Sequence, residues 1–383
     1  MTTLTTNAQR MLRALVVDGP AYRADLARAL GVTRATVTNL ANRLSEDGWV
    51  EVTDTASGPL KNLIGTTPRL GVLASVMFLV DTCTVAVSTL DGRLLTERTL
   101  TNPSDASASD RLAAGAALVA DLLAGAGGEQ GLCALHLAVD TQMDARTGDV
   151  YSQWASSRWY GVNPKQYFAE RFGVPVHTQN TARLEGLAEC LWGAGAAHTD
   201  VLYVDVSYGV TSGHVVEGII QSGARGGSGE LGHAVYDWNG PVCTCGNSGC
   251  LMQYVSVPAL LRDLSTGTER THDWAGFREL VAGGDAAAVT IAARAADILG
   301  RMLVSTCHII DPELLVLSGE VPRSVPSFVD DVAAIVRERT LPLIGKSLRI
   351  VPAELDDMPA ATARAGIESL RAIDEVVTRA TGI

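Results

Sequence analysis

The stretch Gly229-Glu230-Leu231-Gly232-His233 is followed by Cys243-Thr244-Cys245-Gly246-Asn247-Ser248-Gly249-Cys250, so three thiols and an imidazole fall within eighteen residues. Four N/S ligands at this spacing fit a closed tetrahedral zinc site, and the expected ligands are His233, Cys243, Cys245 and Cys250, with one Zn²⁺ per chain. Gly246 and Gly249 permit the tight turn that brings the thiols onto one ion, because glycine reaches left-handed backbone angles without a Cβ clash. The competing readings are small core side chains or disulfide partners. A disulfide is disfavoured because Met1 to Gln9 is polar, with neither the charged start nor the apolar run of a secretory leader; reduced thiols and a cytoplasmic protein are expected. Cys83, Cys133, Cys190 and Cys307 are scattered among apolar residues and are expected in the core.

At 383 residues the chain is long enough for two or three units, each with its own core. No apolar run reaches the length of a membrane span. The net charge of −12 speaks against nucleic acid as a partner for the chain as a whole, but the charge is uneven: residues 1–65 hold seven Lys/Arg against six Asp/Glu, which leaves −13 for the rest.

The near-neutral first segment has a helical pattern. Met11, Leu12, Leu15 and Val16 fit one face of a helix over Ala8–Val17 that Asp18-Gly19-Pro20 stops. A second helix is expected over Arg23–Leu30. Gly31-Val32 turns the chain, and Thr33 caps a third helix with Val37, Leu40 and Leu44 inward. Ala27, Gly31 and Val37 match the small, turning and packing positions of a helix-turn-helix. Gly48–Thr53 and Lys61–Ile64 are expected to be paired strands with a wing between them. The candidate DNA contacts are Arg23, Thr33, Arg34, Thr36, Thr38, Asn39, Arg43 and Lys61, residue types that neutralise phosphates or reach base edges. A small dimerisation or protein-binding module is the alternative.

Past the Gly65-Thr66-Thr67-Pro68 boundary the pattern turns to β-branched runs. Paired strands are expected over Leu70–Val87, interrupted at Asp81-Thr82-Cys83, with an Asp91-Gly92 hairpin and a third strand over Arg93–Leu100. A helix over 107–126 and a strand over Ala134–Val139 complete an α/β lobe. A second lobe begins near Asp200 with the strand Val201–Val206. It continues through a long helix over Ala286–Ile310, with Ile291, Ile298, Met302, Leu303 and Cys307 inward, and a buried strand at Leu314–Leu317. The last helix, about Pro359–Ala380, is expected to pack back on the first lobe.

The Gly-Glu-Leu-Gly-His run and the cysteine motif resemble the signature of the ROK family of bacterial sugar kinases and sugar-responsive transcriptional repressors. The resemblance extends through Pro175–Asn180, Asp311–Gly319 and Ile350–Glu354, and with the N-terminal module it covers essentially the whole chain. It implies a two-lobed actin-like, ribonuclease-H-type α/β domain around a cleft, a winged helix where the member is a repressor, and a structural zinc at the four ligands named above. The expected division is a winged helix-turn-helix at 1–68, a first lobe at 69–186 joined by 359–383, and a second lobe with the zinc knuckle at 187–358.

In the family's kinases the general base is an aspartate directly after the asparagine matching Asn180; here that position is Thr181, which cannot take a proton. The first phosphate loop corresponds to Met77–Asp81, which lacks glycine, and Ser207–Gly213 keeps only two glycines. The resemblance assigns sugar contacts to Asn180, Glu230 and His233, but Met252 and Thr141 stand where the family has a glutamate and a glycine. Losing two carboxylates, one of them at Thr181, depletes the polar set, so the expected effector is a sugar or a modified, less polar derivative. The function expected is a DNA-binding transcriptional regulator, a repressor of a transport or catabolic operon, without kinase activity. It acts as a homodimer or dimer of dimers on an inverted-repeat operator in double-stranded DNA. A divergent sugar kinase and an effector-free scaffold are the alternatives.

Overall fold

The computed structural model describes residues 6–53, 63–103, 105–126, 131–150, 159–266 and 271–381. At the amino terminus α1 (Thr6–Asp18), β1 (Ala21–Tyr22), α2 (Arg23–Leu30), α3 (Arg34–Glu46), β2 (Val50–Thr53) and β3 (Leu63–Thr66) form a winged helix. Leu12, Leu15, Leu26, Leu30, Val37, Ala41, Leu44, Val50 and Ile64 share one core. The turn between α2 and α3 depends on Gly31 at φ 66°, whose N–H closes on the carbonyls of Ala27 and Arg28. Thr33 caps α3 as expected, its hydroxyl accepting from the Thr36 N–H at 3.1 Å. β2 begins two residues later than its expected start at Gly48, and Leu40 is only half-buried. The wing between β2 and β3, with Pro59 and Lys61, lies outside the described residues.

Two five-stranded sheets follow with the same plan. The first comprises β4 (Val72–Phe78), β5 (Thr82–Thr89), β6 (Leu94–Thr101), β7 (Leu132–Val139) and β8 (Val176–Asn180), ordered β6-β5-β4-β7-β8. β4 pairs antiparallel with β5 and parallel with β7. The second comprises β9 (Asp200–Val206), β10 (Val210–Val216), β11 (Ile219–Ile220), β12 (Leu314–Ser318) and β13 (Arg349–Pro352), ordered β11-β10-β9-β12-β13. Three antiparallel strands followed by two parallel ones, used twice, is the ribonuclease-H-type arrangement of an actin-like domain. Thr82 and Cys83 lie inside β5, because the interruption expected there is only the turn ahead of it.

β4 is buried on both faces, so helices must cover both. Val72, Ala74, Val76 and Phe78 face α4 (Ala108–Gly125), where Gly115 lets the helix approach: a Cβ there would lie 2.6 Å from the Phe78 ring. Ser75 faces the other way, beneath Gly366 of α14 (Met358–Arg371). α5 (Pro164–Phe172) precedes β8, and α6 (Thr181–Trp192) follows it. The second sheet packs Leu202, Val204 and Val206 against α10 (Ala286–Ile310) and its neighbours α7 (Met252–Val255), α8 (Val257–Ser265) and α9 (Trp274–Ala282). α11 (Glu320–Ser324), α12 (Phe328–Arg339) and α13 (Pro342–Gly345) lie between β12 and β13. Ile298, Leu303 and Cys307 are buried in α10 as expected, whereas Ile291 and Met302 are only partly so. Cys133 and Cys190 likewise sit half-buried at the edge of the core rather than inside it.

The chain divides into two compact units. One takes in the described residues up to Thr181 and from Pro359 onward, and the other spans Ala182–Met358. The carboxy terminus is two helices rather than one: α14 ends at Arg371 and α15 (Asp374–Thr381) begins after a break. Ile373 N–H bonds back to the Leu370 carbonyl, tightening the last turn, and α15 then runs against α1. Arg371 donates from Nε to Val16 O at 2.8 Å and from its second terminal nitrogen to Val17 O at 3.2 Å, capping α1. A second anchor joins the winged helix to the β5–β6 turn. The buried Asp91 carboxylate accepts from Thr66 N–H, Asp91 N–H donates to the Thr66 hydroxyl, and Arg93 reaches both Thr66 O and Glu51.

Candidate functional site

α3 presents Thr33, Arg34, Asn39 and Arg43 to solvent on the face opposite Val37, Ala41 and Leu44. Thr36 and Thr38 are partly buried, and their hydroxyls have local partners: Thr36 with Thr33 Oγ1 at 2.9 Å and Thr38 with the Arg34 carbonyl at 3.0 Å. Arg23 opens α2 half-buried, with its Nε enclosed and lacking a hydrogen-bond partner among the described residues. The fully outward cations of this face are therefore Arg34 and Arg43.

In the second unit, Gly246 and Gly249 both adopt positive φ, and a Cβ at Gly249 would lie 1.5 Å from the Asp237 carbonyl. Cys243 N–H bonds to Asn247 O at 2.7 Å, and Val235 bridges to Cys250. These bonds fold the motif into a knuckle. The donor atoms of His233, Cys243, Cys245 and Cys250 all lie within 4.8 Å of one another. Cys243 Sγ is 3.7 Å from His233 Nδ1, and the sulfurs of Cys245 and Cys250 are 3.5 Å apart. Metal bonds of about 2.0–2.3 Å give a tetrahedron with edges of about 3.3–3.8 Å, so the spacing suits a metal and is far too long for a disulfide. Burial raises the Cys243 thiol, but hydrogen bonds from Cys245, Cys250 and His233 bring it down to about 6, while burial pushes Cys250 up to about 12. The donor set fits zinc.

His233 ends a short 3₁₀ turn that starts at Glu230, its N–H bonding to Glu230 O at 3.0 Å. The loop is clamped to β10, because Gly229 O accepts from Ser212 N–H at 2.8 Å and a Cβ at Gly229 would lie 2.1 Å from Ser212 O. It is also clamped to α6: Arg183 donates from Nε to Ser228 O at 2.8 Å, and its guanidinium pairs with Glu230 Oε1 at 3.6 Å. Burial lowers Arg183 from the ordinary arginine value and the Glu230 charge raises it. Asn180 closes β8 in the first unit, whereas Glu230 and His233 belong to the second. Thr181, at the position of the kinase base, is buried with its hydroxyl unpartnered among the described residues.

The two turns that the resemblance matches to phosphate loops are each tied to neighbouring elements by a hydrogen bond. The turn after β4 has its Leu79 carbonyl held by the buried Arg111 at 3.1 Å. In the β9–β10 turn, Ser207 Oγ accepts from Glu320 N–H at 3.0 Å. Asp205 beside it is raised to about 6, chiefly by burial, and Glu185 to about 8 by burial and then by Asp205.

The ROK family model matches residues 79–365. The chain belongs to the ROK family. Residues 2–58 match the MarR family model. The chain is 24% identical over 359 residues to the xylose repressor of Bacillus spizizenii, covering 91% of each. It is 30% identical over 180 residues to the glucokinase of Thermotoga maritima, covering 43% of this chain and 57% of that one. The crystal structure of a ROK family transcriptional regulator, a homolog of the E. coli Mlc protein, superposes with a TM-score of 0.76 at 21% identity, covering 98% of both chains. This ROK protein, with a winged helix ahead of its actin-like domain, is a DNA-binding regulator of transcription. Arg183 was not among the residues expected in its site; its only sequence signal is a charged residue beside small and apolar neighbours, Ala182 and Leu184.

Proposed function

We propose that this chain is a transcriptional repressor whose winged helix reads double-stranded DNA and whose ROK half binds a sugar-like effector. The observation that carries the reading is the outward face of α3, with Arg34, Asn39 and Arg43 exposed on a capped helix in a winged fold. Thr33 and the half-buried Thr36, Thr38 and Arg23 border that face, and Lys61 is assigned to the wing. A single winged helix engages one half-site, so the reading includes a homodimer or dimer of dimers on an inverted repeat and a cytoplasmic place beside the DNA. The division into a winged helix at 1–68 and ROK lobes at 69–186 and 187–358 goes with it.

Asn180, Glu230 and His233 are assigned to the effector, since amide, carboxylate and imidazole hydrogen-bond ring hydroxyls. His233, Cys243, Cys245 and Cys250 would hold one structural zinc, which cross-links the knuckle and fixes the His233 ring. Kinase chemistry is not expected, because Thr181 replaces the base and Met77–Asp81 lacks the glycines of a phosphate loop. The relatives named for xylose and glucose point to a neutral aldose.

Footprinting of purified protein on genomic DNA tests this. A palindromic motif upstream of a transport or catabolic operon is expected, with affinity falling steeply as salt rises because phosphate-bound counterions are released. Arg34→Ala and Asn39→Ala are each expected to weaken specific binding by about 1–3 kcal/mol while leaving the melting temperature unchanged. Unchanged affinity in both variants, or no reproducible footprint, would overturn the assignment.

A further inference from the structure

Arg183 is an arginine with 3% of its side chain exposed, in the first turn of α6 and 45 residues from the loop it holds. Buried arginine is costly unless it is paired, and its planar fork holds a carboxylate in one orientation. Here the fork is divided. Nε and one terminal nitrogen go to Ser228 O, and the same terminal nitrogen lies 3.6 Å from Glu230 Oε1. Glu230 is 21% exposed and receives no side-chain hydrogen bond among the described residues, so its acceptor capacity is still available. The ring of His233 directs Nδ1 toward Cys243, leaving Nε2 on its other edge.

We propose that Arg183 is the positioning residue of the effector site: it locks the 228–230 loop and fixes Glu230 as the acceptor for hydroxyls of a neutral sugar. This rests on the reading of the ROK half as a sugar sensor. The charge arrangement adds the ligand class. The cation is consumed within the protein and shielded from solvent, while the group left accessible is a carboxylate. A carboxylate accepts from a diol and repels phosphate or a sugar acid. The effector is therefore an uncharged aldose rather than its phosphate.

The test is calorimetric titration of the zinc-loaded full chain with D-glucose, D-xylose and glucose 6-phosphate, carried to high millimolar sugar. The wild type is expected to bind one neutral aldose and to bind the phosphate at least about tenfold more weakly. Arg183→Gln should weaken the aldose about tenfold or more, and Arg183→Lys by less, because a point charge replaces the fork. Glu230→Gln should also weaken it, and adding Arg183→Gln to that background should change affinity less than about twofold, since the two act through one contact. Zinc content should be the same throughout.

An arginine loss of equal size with and without Glu230 would show a merely structural role and overturn the proposal. So would Arg183 variants that bind like the wild type, or a wild type preferring the phosphate. Arg183→Lys keeps the comparison valid if Arg183→Gln fails to fold. A wild type silent to all three sugars would remove the sensor reading itself, and this one with it.

Discussion

Cys245 lies 3.5 Å from Cys250 Sγ and is held there by two glycines at positive φ. Thiols and an imidazole this close shed their protons when they take up a cation, so metal binding by this site would be linked to folding. Cys245→Ala is expected to lower zinc from one per chain toward zero and to reduce thermal stability by several kcal/mol, read by metal analysis and calorimetry. Full stability after chelation would contradict it. The clustering of His233, Cys243, Cys245 and Cys250 could be read in advance because all four residues fall within one short stretch. Arg183 could not be, because its importance comes from Ser228 and Glu230, brought to it only when α6 and β10 pack in the second unit. The exposed surface of α3 was readable from its amphipathic spacing, whereas the half-burial of Arg23 depends on how α2 seats in the winged helix.

Helix caps show the same contrast between elements. Thr33 precedes its helix directly, so the cap on α3 was evident from local order. The cap on α1 comes from Arg371, 355 residues away, and no local pattern announces it. Nor does Pro or Gly mark the break between α14 and α15; the break frees Arg371 to turn toward α1 and lets α15 lie along that helix. Arg371→Met is expected to destabilise the winged helix by about 1–3 kcal/mol, since a guanidinium serving two orphan carbonyls at a helix C-terminus is lost. Hydrogen exchange should show faster opening of α1 and α3, with operator affinity reduced and zinc content unchanged. Protection of α1 equal to that of the wild type would rule the cap out as a stabilising contact.

For the whole molecule, the two units are expected to respond to pH in opposite directions. In the first, burial and then neighbouring His177 hold His136 down at about 3, against 6.5 when unfolded. Between those values the unfolded chain binds a proton that the folded one refuses, so acid lowers this unit's stability by up to about 1.4 kcal/mol per pH unit. In the second unit, burial and Asp205 raise Glu185 from 4.5 to about 8. Its contribution is full below the unfolded value and is lost as pH rises through that window. Calorimetry should resolve two transitions, the first unit's rising from pH 5 to 6.5 while the second's falls, with Glu185→Gln flattening the latter. Transitions moving together would contradict it. Strands of the first sheet and β9 and β12 of the second were readable from runs and turns, whereas the repeat of the sheet plan followed only from the family resemblance; the buried ionisable groups were not readable, since their environments exist only after the strands pair. The reciprocal bonds between Thr66 and Asp91, with Arg93 across them, bear on the DNA. They tie the winged helix to the first sheet, so the proposed dimer is expected to hold its two recognition helices at a spacing along the duplex that the fold sets. Half-sites out of phase by half a turn would present one recognition surface to the wrong side of the double helix.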